Sequence, residues 1–257
     1  MLGRRRGGDG AVKASADRDR GRATGDGGRG RRGTLAAALL AALVVGSGHA
    51  AAQTADGEAG PWSAVARVLR NGEGPCSGVL VAPRTVMTVG HCVARRRPWR
   101  AVSPDGVIVR FDGVDHAVAA IRLAERSPFR PDGRLGPVAR DWAVLELVET
   151  PDREPVPYGG GGAVRRAFVL DEPVVKAGWR GGATAREETC RIEDVDAAAH
   201  VFTFTCAEAA GRGRSGSALF VRSAGAYEVI GVQSAEATSD AATVGIAISP
   251  DPAVLAR

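Results

Sequence analysis

Three polar residues that stand far apart in the sequence have the side chains of a nucleophile, a base and an acid. Ser215 lies in the glycine-rich stretch Gly211–Leu219, so its hydroxyl would sit on a tight turn beside bare backbone N–H groups. His91 and Asp141 each stand at the edge of another apolar, strand-like run. A serine hydroxyl needs a base to attack a carbonyl group, and the base needs an acid to orient it. The three residue types therefore indicate acyl-transfer chemistry.

The sequences around these residues resemble the motifs of the chymotrypsin-fold serine peptidases. Thr88-Val89-Gly90-His91-Cys92 is similar to T-A-A-H-C, Asp141-Trp142-Ala143 to D-I-A, and Ser215-Gly216-Ser217 to the S-G-G of G-D-S-G-G-P. The chain order His, Asp, Ser is also that of the family. The resemblance covers about residues 61 to 248 and looks most like the bacterial secreted branch that includes the glutamyl endopeptidases. It implies a serine endopeptidase that hydrolyses protein or peptide substrates through an acyl-enzyme.

The resemblance implies a role for each of these residues. Ser215 would attack the scissile carbonyl, and His91 would accept the hydroxyl proton and pass it to the leaving amine. Asp141 would orient the imidazole. The backbone N–H groups of Gly213 and Ser215 would form the oxyanion hole, where one donor typically contributes about 3 kcal/mol to lowering the barrier.

Four further residues are expected to bind the substrate: Ala209, Gln233, Ser234 and Glu236. Ala209 stands where trypsin-like members hold an acid against a basic P1 side chain, P1 being the residue N-terminal to the scissile bond. Gln233 stands where glutamyl endopeptidases hold a histidine. The sequence therefore predicts neither a strict basic preference nor a Glu preference.

Two alternatives come from residues near the serine. Arg214 directly precedes it, where animal digestive members carry an aspartate, so a catalytically inactive homologue that acts as a binding protein is the second hypothesis. An α/β-hydrolase esterase is the third, but Gly213–Ser217 lacks the second glycine of G-x-S-x-G. That fold also places its histidine after the serine, whereas His91 precedes it.

Short apolar runs punctuated by Gly, Pro and Asp predict an all-β fold of two antiparallel six-stranded barrels with the active site in the cleft between them. The strands are expected in two sets, which are listed here: 64–69, 77–81, 85–89, 107–111, 117–123 and 143–148, then 167–170, 174–177, 188–192, 200–205, 217–221, 228–232 and 243–248. The predicted domains are 53–150 with His91 and Asp141, a linker 151–163 rich in Pro and Gly, and 164–257 with Ser215. The loops 207–213 and 236–242 are expected to line the substrate channel, and a short helical turn is expected at 250–257.

Residues 1–52 have the composition of a leader. They hold 10 of the 34 Lys and Arg residues but 4 of the 29 Asp and Glu residues, so 24 basic and 25 acidic residues remain in the rest of the chain. The apolar run Leu35–Val45 and the small residues up to Ala52 are typical of a secretory signal with an A-x-A cleavage site. The run is shorter than the roughly 20 residues of a membrane span. Arg31-Arg32 faintly resembles a twin-arginine signal. We expect a secreted or periplasmic protein, with no nucleic-acid partner and no membrane in the mature form.

All four cysteines lie after the leader, which favours disulfides in an oxidising compartment. They permit three pairings, of which the nearest-neighbour one joins Cys76 to Cys92 and Cys190 to Cys206. Each bond of this kind would stabilise the fold by about 3 kcal/mol. Because no C-x-x-C spacing occurs, we expect no metal, and the chemistry calls for no cofactor. We expect a monomer.

Overall fold

The computed structural model describes residues 60–128, 138–180, 183–207, 215–238 and 243–255. Within these residues the chain is dominated by β-strands. Those of the first half are β1 (Val65–Arg70), β2 (Glu73–Ala82), β3 (Thr85–Val89), β4 (Ala94–Arg96), β5 (Trp99–Ala101), β6 (Val107–Phe111), β7 (Val114–Leu123) and β8 (Trp142–Leu147). Those of the second half are β9 (Val174–Arg180), β10 (Ala183–Asp196), β11 (Val201–Cys206), β12 (Ala218–Ser223), β13 (Ala226–Thr238) and β14 (Thr243–Ile248).

Two antiparallel barrels of six strands each form the fold, which confirms the predicted fold class. The first closes in the order β1-β2-β3-β8-β7-β6 and the second in the order β10-β11-β14-β13-β12-β9. Strand β6 shows how the sequence builds a barrel wall, because Val107, Val109 and Phe111 alternate with more exposed residues and point into the core. The remaining two strands, β4 and β5, form a separate hairpin.

A single apolar core joins the two barrels. Strand β3 is buried along its whole length, because one face points into the first barrel and the other towards the second. The second barrel adds outward-facing residues to the same cluster, among them Ala218, Phe220 and Val232. A second cluster, which includes Phe202, Phe204 and Leu219, fills the interior of the second barrel. The two barrels are therefore packed together by apolar contacts next to the strands that lead into the predicted site.

Helices are short. The two α-helices of the described residues are α1 (Gly90–Val93) and α2 (Gly160–Val169), and 3₁₀ turns span Pro61–Ala64, Pro104–Gly106, Val138–Arg140 and Pro252–Val254. The last of these lies where a closing turn was expected. No helix in the described part of the chain is both long and apolar enough to cross a membrane.

Helix α2 corrects one of the sequence-based expectations. The strand expected at 167–170 is wrong, because Ala167–Val169 are the end of α2. Ala163, Val164 and Ala167 are buried against the core of the second barrel, a helical spacing that outweighs the β-propensity of Phe168 and Val169. The predicted boundary between 163 and 164 falls inside this helix.

The expected loop at 236–242 is also partly wrong. Glu236, Ala237 and Thr238 continue strand β13 and pair with β14 as far as Thr243. Residues 239–242 and most of the other expected loop, 208–213, lie outside the described residues.

Candidate active site

His91 is placed by the junction between β3 and α1. The chain leaves the buried strand at Val89 and turns at Gly90, whose backbone N–H donates to Asp141 O at 3.0 Å. A Cβ atom at Gly90 would lie 2.9 Å from the Trp99 ring and 3.1 Å from the backbone oxygen of Trp142. A Cβ atom here would require the Trp99 ring to shift, and the turn at Gly90 brings the imidazole of the next residue to the edge of the barrel, with its side chain 20% exposed.

Asp141 is completely buried directly before β8, and its carboxylate accepts three hydrogen bonds. Its Oδ1 accepts from the backbone N–H of His91 at 2.8 Å, and its Oδ2 accepts from His91 Nδ1 at 2.7 Å. Ser234 Oγ donates to the same Oδ2 at 2.5 Å. Because an ionised carboxylate can only accept, the imidazole carries a proton on Nδ1, and Nε2 of the neutral ring is left as an acceptor.

The hydroxyl of Ser215 lies next to His91 Nε2. Ser215 Oγ lies 2.9 Å from His91 Nε2, although the two residues are 124 positions apart in the sequence. This is hydrogen-bonding distance between a nucleophile and a base. The structure thus brings His91, Asp141 and Ser215 together in one continuous chain of hydrogen bonds.

Backbone contacts from the first barrel hold Ser215 in this position. Its carbonyl oxygen accepts from the N–H of Ser77 at 2.7 Å, and the carbonyl oxygen of Ser77 accepts from Thr88 Oγ1 at 2.6 Å. Gly216 follows with φ +81°, and a Cβ atom there would lie 2.0 Å from Ser77 O. A glycine after the serine is therefore required both by its backbone conformation and by the close approach of strand β2.

Ser77 also contacts the second barrel through its side chain, because its Oγ accepts from the backbone N–H of Trp179 at 2.8 Å. Neither Ser77 nor Thr88 was singled out in the sequence as a site residue. Two features of the sequence could have indicated them: Ser77 directly follows Cys76, and Thr88 stands three residues before His91.

The structure contains the disulfides Cys76–Cys92 and Cys190–Cys206, the two nearest-neighbour pairs of the sequence. The first ties β2 to α1, so it links the neighbours of Ser77 and His91. Cys76, His91 and Cys92 place potential metal-binding atoms within 4.8 Å of one another. Both sulfur atoms belong to the disulfide and are not thiolates, so this group does not fit a metal ion.

The expected substrate-binding residues divide into two sets. Ser234 uses its hydroxyl for Asp141, and Gln233, which is buried beside it, donates from Nε2 to Glu236 Oε1 at 2.7 Å. The other amide atom, Gln233 Oε1, is buried and has no hydrogen-bond partner among the residues that the structure describes. Ala209, the fourth expected substrate-binding residue, lies outside the described residues, as does the oxyanion-hole residue Gly213.

A family model described as Trypsin matches residues 48–253, which is more than half of the chain. The chain belongs to the Trypsin family. No curated protein sequence matches it. This Trypsin-family chain has the serine-peptidase fold, and at the level of the family its function is that of a peptidase.

Proposed function

We propose that the protein is a secreted serine endopeptidase that cleaves peptide bonds through His91, Asp141 and Ser215. The observation that carries this proposal is the chain of hydrogen bonds from Ser215 Oγ through both nitrogens of His91 to the buried carboxylate of Asp141. Each distance lies within the range for direct proton transfer or orientation of the base.

The mechanism begins with attack by Ser215 on the carbonyl carbon of the scissile bond. As the Oγ–C bond forms, His91 Nε2 takes the hydroxyl proton, and Asp141 stabilises the resulting imidazolium through Nδ1. The tetrahedral intermediate then collapses. Its C–N bond breaks as His91 returns the proton to the leaving amine, so an acyl-enzyme remains on Ser215.

Water then hydrolyses the acyl-enzyme in two steps like those of acylation, with water as the nucleophile and Ser215 as the leaving group. His91, neutral again, takes a proton from water as the oxygen attacks the ester carbonyl group. The second tetrahedral intermediate releases the acid product when the proton passes back to Ser215 Oγ. The base is used twice, and the enzyme returns to its starting state without a cofactor.

The negative charge on the carbonyl oxygen needs donors that are fixed before the reaction starts. We assign this role to the backbone N–H groups of Ser215 and Gly213. The hydrogen bond from Ser77 N–H to Ser215 O supports the role of Ser215, because it fixes the peptide bond that follows the serine and so restrains the serine backbone.

We further propose that peptides with an acidic P1 side chain are cleaved poorly. Gln233 lies on β13 beside the serine turn, since its backbone oxygen accepts from Gly216 N–H at 2.8 Å. Its amide nitrogen donates to Glu236 Oε1 and is therefore not available to a P1 carboxylate, and its other amide atom, Oε1, is buried. The carboxylate of Glu236 is only partly buried and would repel a P1 carboxylate as a like charge. The protein could still belong to the bacterial secreted branch, but we do not expect it to share the preference for Glu at P1 of the glutamyl endopeptidases.

Secretion is supported by the two disulfides and by the composition of residues 1–52. The inactive-homologue hypothesis rests on Arg214, which directly precedes the serine in the sequence, and it is weakened because Ser215 Oγ lies within hydrogen-bonding distance of His91 Nε2.

The test uses the full-length chain expressed with its leader in a secreting bacterial host. The product in the medium should have lost the leader, as N-terminal sequencing would determine, and should hydrolyse casein and a mixed peptide library. Ser215→Ala should abolish hydrolysis, whereas the matched Ser223→Ala, on β12, should retain it. A folded secreted product that hydrolyses no peptide would contradict the proposal.

A further inference from the structure

The β4–β5 hairpin carries four arginines beside the proposed active site. Residues 94–101 read A-R-R-R-P-W-R-A and include no acidic residue. Arg95, Arg96, Arg97 and Arg100 are all exposed. The hairpin starts three residues after His91, and four residues of chain span at most about 14 Å. The backbone of Arg95, and of Arg100 which pairs with it, is therefore tied to the part of the chain that carries His91.

Two of these arginines face each other across the hairpin. Arg95 pairs with Arg100 in the strand register, and within the described residues neither forms an ion pair. Like charges at directly opposite positions destabilise a strand pair. Arg96 and Arg97 have contacts of their own. The facing pair of Arg95 and Arg100 thus brings two like charges together in a way that does not help the hairpin to fold.

Packing fixes the position of these charges. Trp99 Nε1 donates to Ala124 O at 3.0 Å, and the Trp99 ring packs against Gly90, the residue before His91. Backbone bonds add to this, since Val102 N–H donates to Val93 O at 3.0 Å. The arginines are therefore attached to a rigid support rather than to a free loop end, which lowers the entropy cost of binding a charged group.

The charge is local. Outside the leader, basic and acidic residues are nearly equal in number, at 24 and 25. After Ala124, to which the hairpin is anchored, the next two residues are Glu125 and Arg126, whose charges cancel. Because the rest of the chain has no basic excess, a long polyanion such as a nucleic acid or sulfated polysaccharide is disfavoured, whereas four arginines within eight residues suit a short acidic segment. Arginine also binds carboxylates through two parallel hydrogen bonds.

The mechanism indicates which part of a substrate reaches the hairpin. His91 protonates the leaving amine, so the residues C-terminal to the scissile bond pass over the imidazole side of the site. We propose that the arginine hairpin, residues 94–101, binds acidic side chains in the first three residues C-terminal to the scissile bond. This inference rests on the proposed peptidase function and specifies its substrates as polypeptides that are acidic on the leaving-group side.

The experiment compares quenched fluorescent peptides of one parent sequence that carry a single Glu or Gln at each of these three positions. A second series places the same residues two and three positions before the scissile bond. Active-site titration with a serine-directed phosphonate first gives the fraction of active enzyme, which tests the peptidase function separately. The enzymes are the wild type, the double variant R95Q/R100Q and, as a matched control, Arg165→Gln, an exposed arginine of α2.

For the wild type we expect kcat/KM to be about fivefold higher for Glu than for Gln at one or more of the three positions at low salt. The ratio should approach one in about 0.5 M NaCl, where charges are screened within a few ångströms. R95Q/R100Q should lower the ratio to about twofold or less at low salt, and Arg165→Gln should leave it unchanged.

Three results would overturn the inference while the peptidase function stands. One is equal cleavage of the Glu and Gln peptides by titrated enzyme. Another is a Glu preference that persists in R95Q/R100Q. The same holds for a Glu preference seen only in the series that carries Glu or Gln N-terminal to the scissile bond. The third is binding of heparin through the hairpin without any Glu preference, which would assign the patch to a polysaccharide. Failure of the phosphonate to label folded enzyme would instead contradict the peptidase function itself.

Discussion

Ser234 of the second barrel donates a 2.5 Å hydrogen bond to Asp141 of the first, on the same carboxylate oxygen that accepts from His91 Nδ1. The acid is thus held from both barrels. This bond connects the position of His91 to β13, which also holds the serine turn, because the backbone oxygen of the neighbouring Gln233 accepts from Gly216 N–H.

Ser234→Ala should lower kcat/KM about tenfold. Without this hydrogen bond Asp141 orients His91 less well, and a tenfold loss corresponds to a rise of about 1.4 kcal/mol in the activation free energy. The buried carboxylate would also lose a hydrogen bond, which destabilises the fold by about 1.5–3 kcal/mol. Kinetics and denaturant unfolding measure the two effects. Ser249→Ala is the matched control, since Ser249 is also buried but bonds to Tyr158. It should lose stability and keep its activity, and equal activities of both variants would refute the role of Ser234.

Gly216→Ala should inactivate the protein, whereas Gly225→Ala should not. Both glycines have positive φ, +81° and +86°, so each substitution adds backbone strain of about 1–2 kcal/mol. A Cβ atom at Gly216 would in addition lie 2.0 Å from Ser77 O, while nothing lies within 4 Å at Gly225. Thermal unfolding and casein hydrolysis of both variants separate strain from the clash. An active Gly216→Ala enzyme would show that β2 does not hold the serine turn.

Removal of either disulfide should cost about 3 kcal/mol of stability, because the two bonds close loops of the same length. C76A/C92A should also reduce activity well below its unfolding temperature, since this bond connects the neighbours of Ser77 and His91. C190A/C206A should remain active at that temperature. Activity that falls equally in both double variants, when measured on fully folded protein, would contradict the positioning role of Cys76–Cys92.

Tyr158 should make the fold sensitive to alkaline pH. Burial raises the pKa of its hydroxyl, which donates to Pro250 O at 2.7 Å. Below the ordinary tyrosine pKa of about 10, both folded and unfolded chains keep the proton, and stability from this group does not change. Above it the unfolded chain releases the proton first, so stability falls by up to about 1.4 kcal/mol per pH unit.

Denaturant unfolding between pH 8 and pH 11 tests this behaviour. Tyr158→Phe should be less stable than the wild type at pH 8, by about 1 kcal/mol for the lost hydrogen bond. Its stability should decline less steeply above pH 10. Identical slopes for the two proteins would mean that the Tyr158 proton is not linked to folding.

The sequence predicted the two barrels well where local pattern decides structure. β3, β6 and β14 have the expected bounds, because each is a short run of β-branched and apolar residues that ends at a turn. Helix α2 was missed because its glycine-rich start resembles a linker. Its three buried apolar side chains pack only once the second barrel is formed. Strands β4 and β5 have three residues each, too few to show an alternating pattern.

The candidate site could be predicted in part. His91, Asp141 and Ser215 were found through motifs that resemble a family, since no local pattern can indicate that residues 124 positions apart meet. Ser234 was expected at the substrate, but its hydroxyl bonds to Asp141, a contact between strands of different barrels. The roles expected for Gly213 and Ala209 stay predictions.

Labelling with a serine-directed fluorophosphonate tests the central claim most directly. Intact mass should show one label per folded molecule, and peptide mapping should locate it on Ser215, because His91 Nε2 lies 2.9 Å from that hydroxyl. Ser215→Ala should not be labelled, and His91→Ala should react at least about a hundredfold more slowly. Folded wild-type protein that stays unlabelled, or carries the label on another serine, would contradict the account.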